Sequence, residues 1–157
     1  MKVRNDFVTN SSSSSFILGF TDEDAIANEL LDGFPEWAVS DYFGRVLTDV
    51  KSADKFEKDE VYKKIREELF WTAEYEVENY LKYRKGMSFS EAMKYIETDE
   101  GKKLVKEYLD DIIVKHRKQI EENSIFVEVE YDDHCNSELE HEIMPEVAST
   151  IVRISHH

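Results

Sequence analysis

Four of the five histidines, with a dense run of carboxylates, fall in the last part of the chain, and this combination of side chains can bind a divalent cation. His134, Glu138 and His141 lie within the polar segment DDHCNSELEHEIMPEVA, and His156 and His157 close the sequence. Zinc and similar ions take neutral imidazole and carboxylate ligands, three or four of which must converge from different chain positions. Glu138 and His141 share a face if this segment holds one helical turn, because positions i and i+3 are neighbours there. Asp132, Asp133 and Glu140 are further carboxylates close by in sequence.

The spacing matches no strong metal pattern: there is no Cys-x-x-Cys, no His-Glu-x-x-His and no calcium loop. Two readings therefore stand side by side. One is a site for zinc or another divalent cation, built from His134, Glu138, His141, His156 and His157. The other is a solvated acidic loop with surface histidines. A metal-dependent hydrolase would add Glu138 or Glu140 as the base beside a metal-bound water.

Charge singles out the same region. Between Lys118 and Arg153 there is no Lys or Arg, while ten Asp and Glu residues from Glu121 to Glu146 fall inside. Such uncompensated negative charge invites a cation, whether a metal or a partner's basic side chain. The whole chain carries a formal charge of -15, which opposes the phosphate backbone and argues against direct binding to nucleic acid or to an anionic membrane. It permits a basic protein partner, whose own anion-binding surface this chain would occupy, and it is equally compatible with plain solubility.

A second chemical candidate is the polar run Ser11, Ser12, Ser13, Ser14 and Ser15 in FVTNSSSSSFILGF. A nucleophilic serine needs a base and usually a glycine-flanked turn, and a phosphate cradle needs glycines with a lysine; neither surrounds this run. Its apolar frame of Phe7, Val8, Phe16 and Ile17 favours an ordered extended segment or tight turn, with hydroxyls bonded to nearby backbone. Cys135 stands in acidic surroundings that discourage a thiolate, and as a single cysteine it forms no internal disulfide.

The elements that must position these residues follow from hydrophobic periodicity. Met1 to Phe20 reads as strand, in two runs (KVRNDFV and SFILGF), with Gly19 marking a bulge or a close backbone approach. Asp22 to about Glu122 reads as helix. A first helix carries Ile26, Leu30 and Leu31, and a short second one over Glu36 to Val46 buries Trp37, Tyr42 and Phe43. A long one from about Lys58 to Arg84 carries a stripe of Tyr62, Ile65, Leu69, Ala73, Val77, Tyr80 and Leu81, and is stopped by Gly86. Ser88 and Glu91 match a capping box ahead of a helix through Met93 and Ile96. The last helix, with Val105, Leu109 and Ile112, reaches about Ile120 and carries His116 as a core or rim residue. Ser124 to His157 returns to strand in SIFVEVEY and STIVRIS.

Strands at both ends with helices between imply an α+β fold in one domain over residues 1–157: a small, mainly antiparallel sheet from the terminal segments, covered on one face by about four to five helices. A chain of 157 residues with 41% hydrophobic content can bury such a core. The N-terminus lacks a secretory pattern and no apolar stretch approaches bilayer length, so a cytoplasmic location is expected.

The segment RNDFVTNSSSSSFIL, with ELEHEIM and VRISHH near the end, resembles a group of small, mostly uncharacterised proteins of bacteria and their phages. That resemblance implies that the two end motifs belong together and that the final SHH is native. The resulting expectation is a small acidic phage-related protein that acts by binding and holds a divalent metal. Its alternatives are an acidic protein that inhibits or modulates a basic host or phage protein, and a metal-dependent hydrolase.

Overall fold

A computed structural model of the chain describes residues 13–156. The first expected strand, together with Ser11, Ser12 and His157, lies outside the described residues. Serines and strand-forming residues continue without a break into β1 (Ser13–Phe20), so Ser13, Ser14 and Ser15 are strand residues. From the other end of the sequence come β2 (Ile125–Asp132) and β3 (Thr150–His156). The sheet order is β2-β1-β3, antiparallel throughout, with Phe16 opposite Val129 on one side and Arg153 on the other. A register shift at Ile17 and Leu18 precedes Gly19, where a side chain would meet the Ile151 methyl, the Phe126 ring and the Asn123 amide. The irregularity thus falls just before the glycine, and at Gly19 itself three side chains close on the backbone.

The helices are α1 (Ile26–Asp32), α2 (Gly44–Ser52), α3 (Lys58–Glu68), α4 (Phe70–Arg84), α5 (Phe89–Ile96) and α6 (Asp99–Glu121), with short 3-10 and π turns at Glu36–Ala38, Val39–Phe43, Leu139–Ile143 and Met144–Glu146. They outnumber the expected four to five for two reasons. The long helix divides at Leu69, which sits near φ -97° and ψ 4° with its side chain buried; no Pro or Gly announces that break. The expected helix over Glu36 to Val46 instead becomes two tight turns leading into α2. Its Trp37 is 56% exposed, against expectation, while Tyr42 and Phe43 pack on the core edge. Gly86, at φ 72°, ends α4 as expected, a backbone state that L side chains rarely adopt.

The chain forms two compact units, Met1–Lys58 with Gln119–His157, and Asp59–Lys118. In the first, one sheet face carries Phe16, Leu18, Phe20, Val127, Val129 and Tyr131 against Ile26, Leu30, Val46, Val50, Leu139, Ile143 and Met144. The helices were expected to cover one face, yet Ile17, Phe126, Val152 and Ile154 are buried on the other face as well, with Phe126 stacked on Phe56 at 6.4 Å. Tyr131 hydrogen-bonds Asp49 at 2.7 Å, and burial, more than that bond, pushes its phenol far above the ordinary range.

The second unit buries Val61, Ile65, Ala73, Val77, Leu81, Ala92, Ile96, Val105, Leu109 and Ile113. Ile113, not Ile112, continues the α6 stripe, and His116 is half-buried beside it, its imidazole held below the usual range by burial and then by Lys115. Among the described residues no helix is long and apolar enough to cross a membrane. The expected capping box forms: the Ser88 hydroxyl accepts from Glu91 N–H at 3.1 Å, and Glu91 accepts from Ser88 N–H at 2.9 Å. Ser88→Ala should cost about 1 kcal/mol in chemical denaturation. Since the Ser88 N–H holds the Glu91 carboxyl below its ordinary 4.5, the capping carboxylate's contribution is present above that value and fades as the pH falls below it, a slope that Glu91→Gln should remove.

Candidate functional site

Successive strand residues point to opposite faces, so β1 divides its serines. Ser14 points to the face that holds the main core. Its hydroxyl accepts from Arg153 Nε at 3.0 Å, and the same guanidinium lies 5.8 Å from the Phe16 ring centre. Arg153 Nη2 is 3.3 Å from His141 Nδ1 and 3.8 Å from Glu140 Oε1, while His141 Nε2 is 3.3 Å from that same oxygen. The π turn Leu139–Ile143 produces this arrangement. Leu139 and Ile143 anchor it in the core, and the turn between them carries the Glu140 side chain to complete burial.

A buried carboxylate must be compensated by a cation or by donors. Arg153, the first basic residue after the long acidic stretch, supplies the charge. Arg153 donates to His141 Nδ1, and the imidazole spans the distance from the guanidinium to the Glu140 carboxylate. The cluster Ser14, Arg153, His141 and Glu140 therefore fastens β1 and β3 to the π turn. Its four members are engaged with one another.

Ser13 and Ser15 point to the other face. Ser13 donates to Glu130 at 2.9 Å, and Ser15 Oγ lies 2.9 Å from His156 Nε2. A hydroxyl on an imidazole nitrogen at that distance has the geometry of a nucleophile and its base. Acyl transfer needs two further things, an open approach and spare donors for the oxyanion. Ser15 is 5% exposed, and β1, paired on both edges, commits its amides to the two ladders.

Of the five expected metal ligands, the four among the described residues, His134, Glu138, His141 and His156, do not converge on one point. Glu138 accepts from the Tyr42 hydroxyl at 2.7 Å, a bond that raises the phenol pKa. His134 sits in an exposed turn whose N–H, with that of Cys135, donates to Asp132 Oδ1. His134 and Glu138 line one polar hollow of about 240 Å³ with Tyr42 and Arg45, whereas His141 and His156 belong to opposite faces of the sheet. Among the described residues no group of three or more His, Cys, Asp or Glu side chains is arranged to hold a metal ion. Glu138 and His141 do share a turn, but its π geometry sends one to Tyr42 and the other to Glu140.

The second unit presents a different surface, which periodicity alone did not reveal. Helix α4 buries its small and aliphatic face and leaves Phe70, Trp71, Tyr75 and Tyr83 40%, 74%, 60% and 78% exposed; α5 exposes Phe89 and Met93. A cavity of about 320 Å³ is lined by Phe70, Ile96, Val105 and Leu109, with Lys102 and Lys106 on its wall. A second, of about 410 Å³, is lined by Trp71, Tyr75, Met93 and Glu78. Glu74, Ile96 and Glu97 belong to both, so the two form one groove. Burial, then the negative charge of Glu97, holds the Glu74 carboxyl above its ordinary range. Glu78 is paired with Lys82 at 3.5 Å. The available signal was the pair Trp71 and Tyr75, four residues apart and off the core stripe.

Replacing Arg153 by Met leaves the buried Glu140 without its cation and should cost about 2–3 kcal/mol in urea unfolding, the lower end for such pairs because the guanidinium is one-third exposed. Ser15→Ala, which removes one neutral hydrogen bond, should cost about 1 kcal/mol. Equal losses would mean that the carboxylate is not held by the arginine. No family model matches this chain, nor does any curated protein or solved structure, so its site is read from its own residues alone.

Proposed function

We propose that this chain acts by binding a basic protein partner, and that the contact surface is the α4 and α5 face of the second unit. The observation that carries the reading is the pair of carboxylates, Glu74 and Glu97, set in a groove walled by exposed aromatic side chains. Aromatic residues gathered on an exposed surface are the usual anchors of protein interfaces, since they bury much area with few rotatable bonds. Carboxylates among them favour an oppositely charged partner and reject an acidic one.

The formal charge of -15 supports the same choice by attracting a cationic protein over distances set by ionic screening. A divalent-metal role and metal-dependent hydrolysis receive less support. His141 is engaged by Arg153 and Glu140, and His156 by Ser15.

Immobilised full-length protein, offered a cell extract, should retain a protein of basic isoelectric point that is released as salt approaches about 1 M, where screening reaches about 3 Å. Trp71→Ala should weaken that complex by about 2 kcal/mol or more, and Glu74→Gln with Glu97→Gln should slow its association. A partner held equally by the wild type and both variants would place the interface elsewhere.

A further inference from the structure

The two cavities of the α4 and α5 groove differ in charge, and the difference restricts what can fill them. The Trp71 and Tyr75 cavity is bordered by the carboxylates of Glu74, Glu78 and Glu97. Lys82 already pairs with Glu78, while among the described residues Glu74 and Glu97 make no ion pair. The adjoining Phe70 and Leu109 cavity has Lys102 and Lys106 on its wall, with Lys106 bonded to Asp110 at 2.9 Å. A cation is therefore favoured in the first cavity; in the second, Lys102 and Lys106 offset the shared Glu74 and Glu97, and the remaining lining of Phe70, Ile96, Val105 and Leu109 is apolar.

Resting on the reading of this face as the partner surface, we infer that the partner presents an arginine and a large apolar side chain as neighbours, the guanidinium seated between Trp71 and the Glu74 and Glu97 carboxylates, the apolar group in the Phe70 and Leu109 cavity. A guanidinium suits the first cavity better than an ammonium does. It is planar, stacks on an aromatic face, can bind a carboxylate through two N–H groups and is less strongly hydrated. Both cavities lie at the small end of ligand sites, which run from about 300 to 1,000 Å³, so each accepts a side chain and not a folded element. Because they share Glu74, Ile96 and Glu97 as a common wall, the two side chains must be adjacent. Positions i and i+4 of a helix, about 5–6 Å apart at Cβ, meet that requirement. A second copy of this chain is a poor occupant, since it would bring another net charge of -15 to an acidic groove.

The test uses the full chain with Trp37→Phe, which leaves Trp71 as the sole tryptophan and its fluorescence as the signal. The probes are synthetic helix-forming peptides carrying Arg and Phe four residues apart, and the same peptide with Lys, citrulline or Ala replacing Arg, or Ala replacing Phe. The Arg–Phe peptide should shift the Trp71 emission and bind tightest. Lys should weaken it about threefold or more, citrulline and the loss of Phe about tenfold or more, as expected for a cation on an aromatic face and for an emptied apolar site. Glu74→Gln with Glu97→Gln should erase the preference for Arg over citrulline while leaving the effect of Phe.

If Arg and Lys peptides bind alike, lose affinity together with salt and are indifferent to Phe, the paired-anchor inference falls and the charge-driven reading of the face stands. If no peptide binds, the inference falls, and the face is judged by whether Trp71→Ala releases a retained partner. A concentration-dependent dimer abolished by Trp71→Ala would name a second copy as the occupant and overturn it.

Discussion

The first unit depends on one constraint: its middle strand is drawn from the start of the sequence and both of its neighbours from the end. A central strand exposes hydrogen-bonding groups on two edges, and β1 satisfies them only when β2 and β3 have both arrived. Its burial is nearly complete along its length, so neither face offers a fallback to solvent. Strand pairing of such sequence separation makes closure entropically costly and cooperative, because little of the sheet core exists before the distant segments meet. The two end regions act as one structural unit for this reason.

The serine run becomes intelligible inside that constraint. Small hydroxyl side chains fit a fully paired strand, and each one finds an acceptor or donor across the sheet: Ser13 on Glu130, Ser14 on Arg153, Ser15 on His156. The same strand therefore carries polar contacts to both faces at one end and a purely apolar core at the other. Glu140 is the costliest group in this arrangement, a fully buried carboxylate on a π turn, and its position explains why an arginine ends the long cation-free stretch. The pairing of β3 with β1 sets Arg153 within reach of that carboxylate, so the register of the strand and the placing of the charge are linked.

The second unit follows different physics. Its core needs only the small and aliphatic face of α4, with Ala73, Val77 and Leu81 buried, and this leaves the aromatic residues of the same helix outward. Trp71 and Tyr83 are largely exposed; the Trp71 ring meets Phe70 edge to face, and the Lys82 ammonium lies over the Tyr83 ring. These exposed aromatic side chains and the neighbouring carboxylates of Glu74 and Glu97 are the features on which the proposed partner surface rests.

Local signals were legible in the sequence wherever neighbours along the chain decide the outcome. The capping box at Ser88 and Glu91, the stop at Gly86, the strand character of both end segments and the class of fold follow from hydrogen-bond spacing and from the period of apolar residues. The break at Leu69, the exposure of Trp37 and the burial of Phe126 were not legible, because each depends on what lies opposite in space. The histidines show the same limit: sequence placed His134, Glu138, His141 and His156 in one polar region, and packing then left His134 and Glu138 beside one hollow, His141 on Arg153 and Glu140, and His156 on Ser15. Composition and periodicity determine which elements form and how acidic their surface is. Which side chains meet was decided only by tertiary packing, since a contact between Ser15 and His156, or between Glu140 and Arg153, exists only once the sheet has brought distant segments within hydrogen-bonding reach.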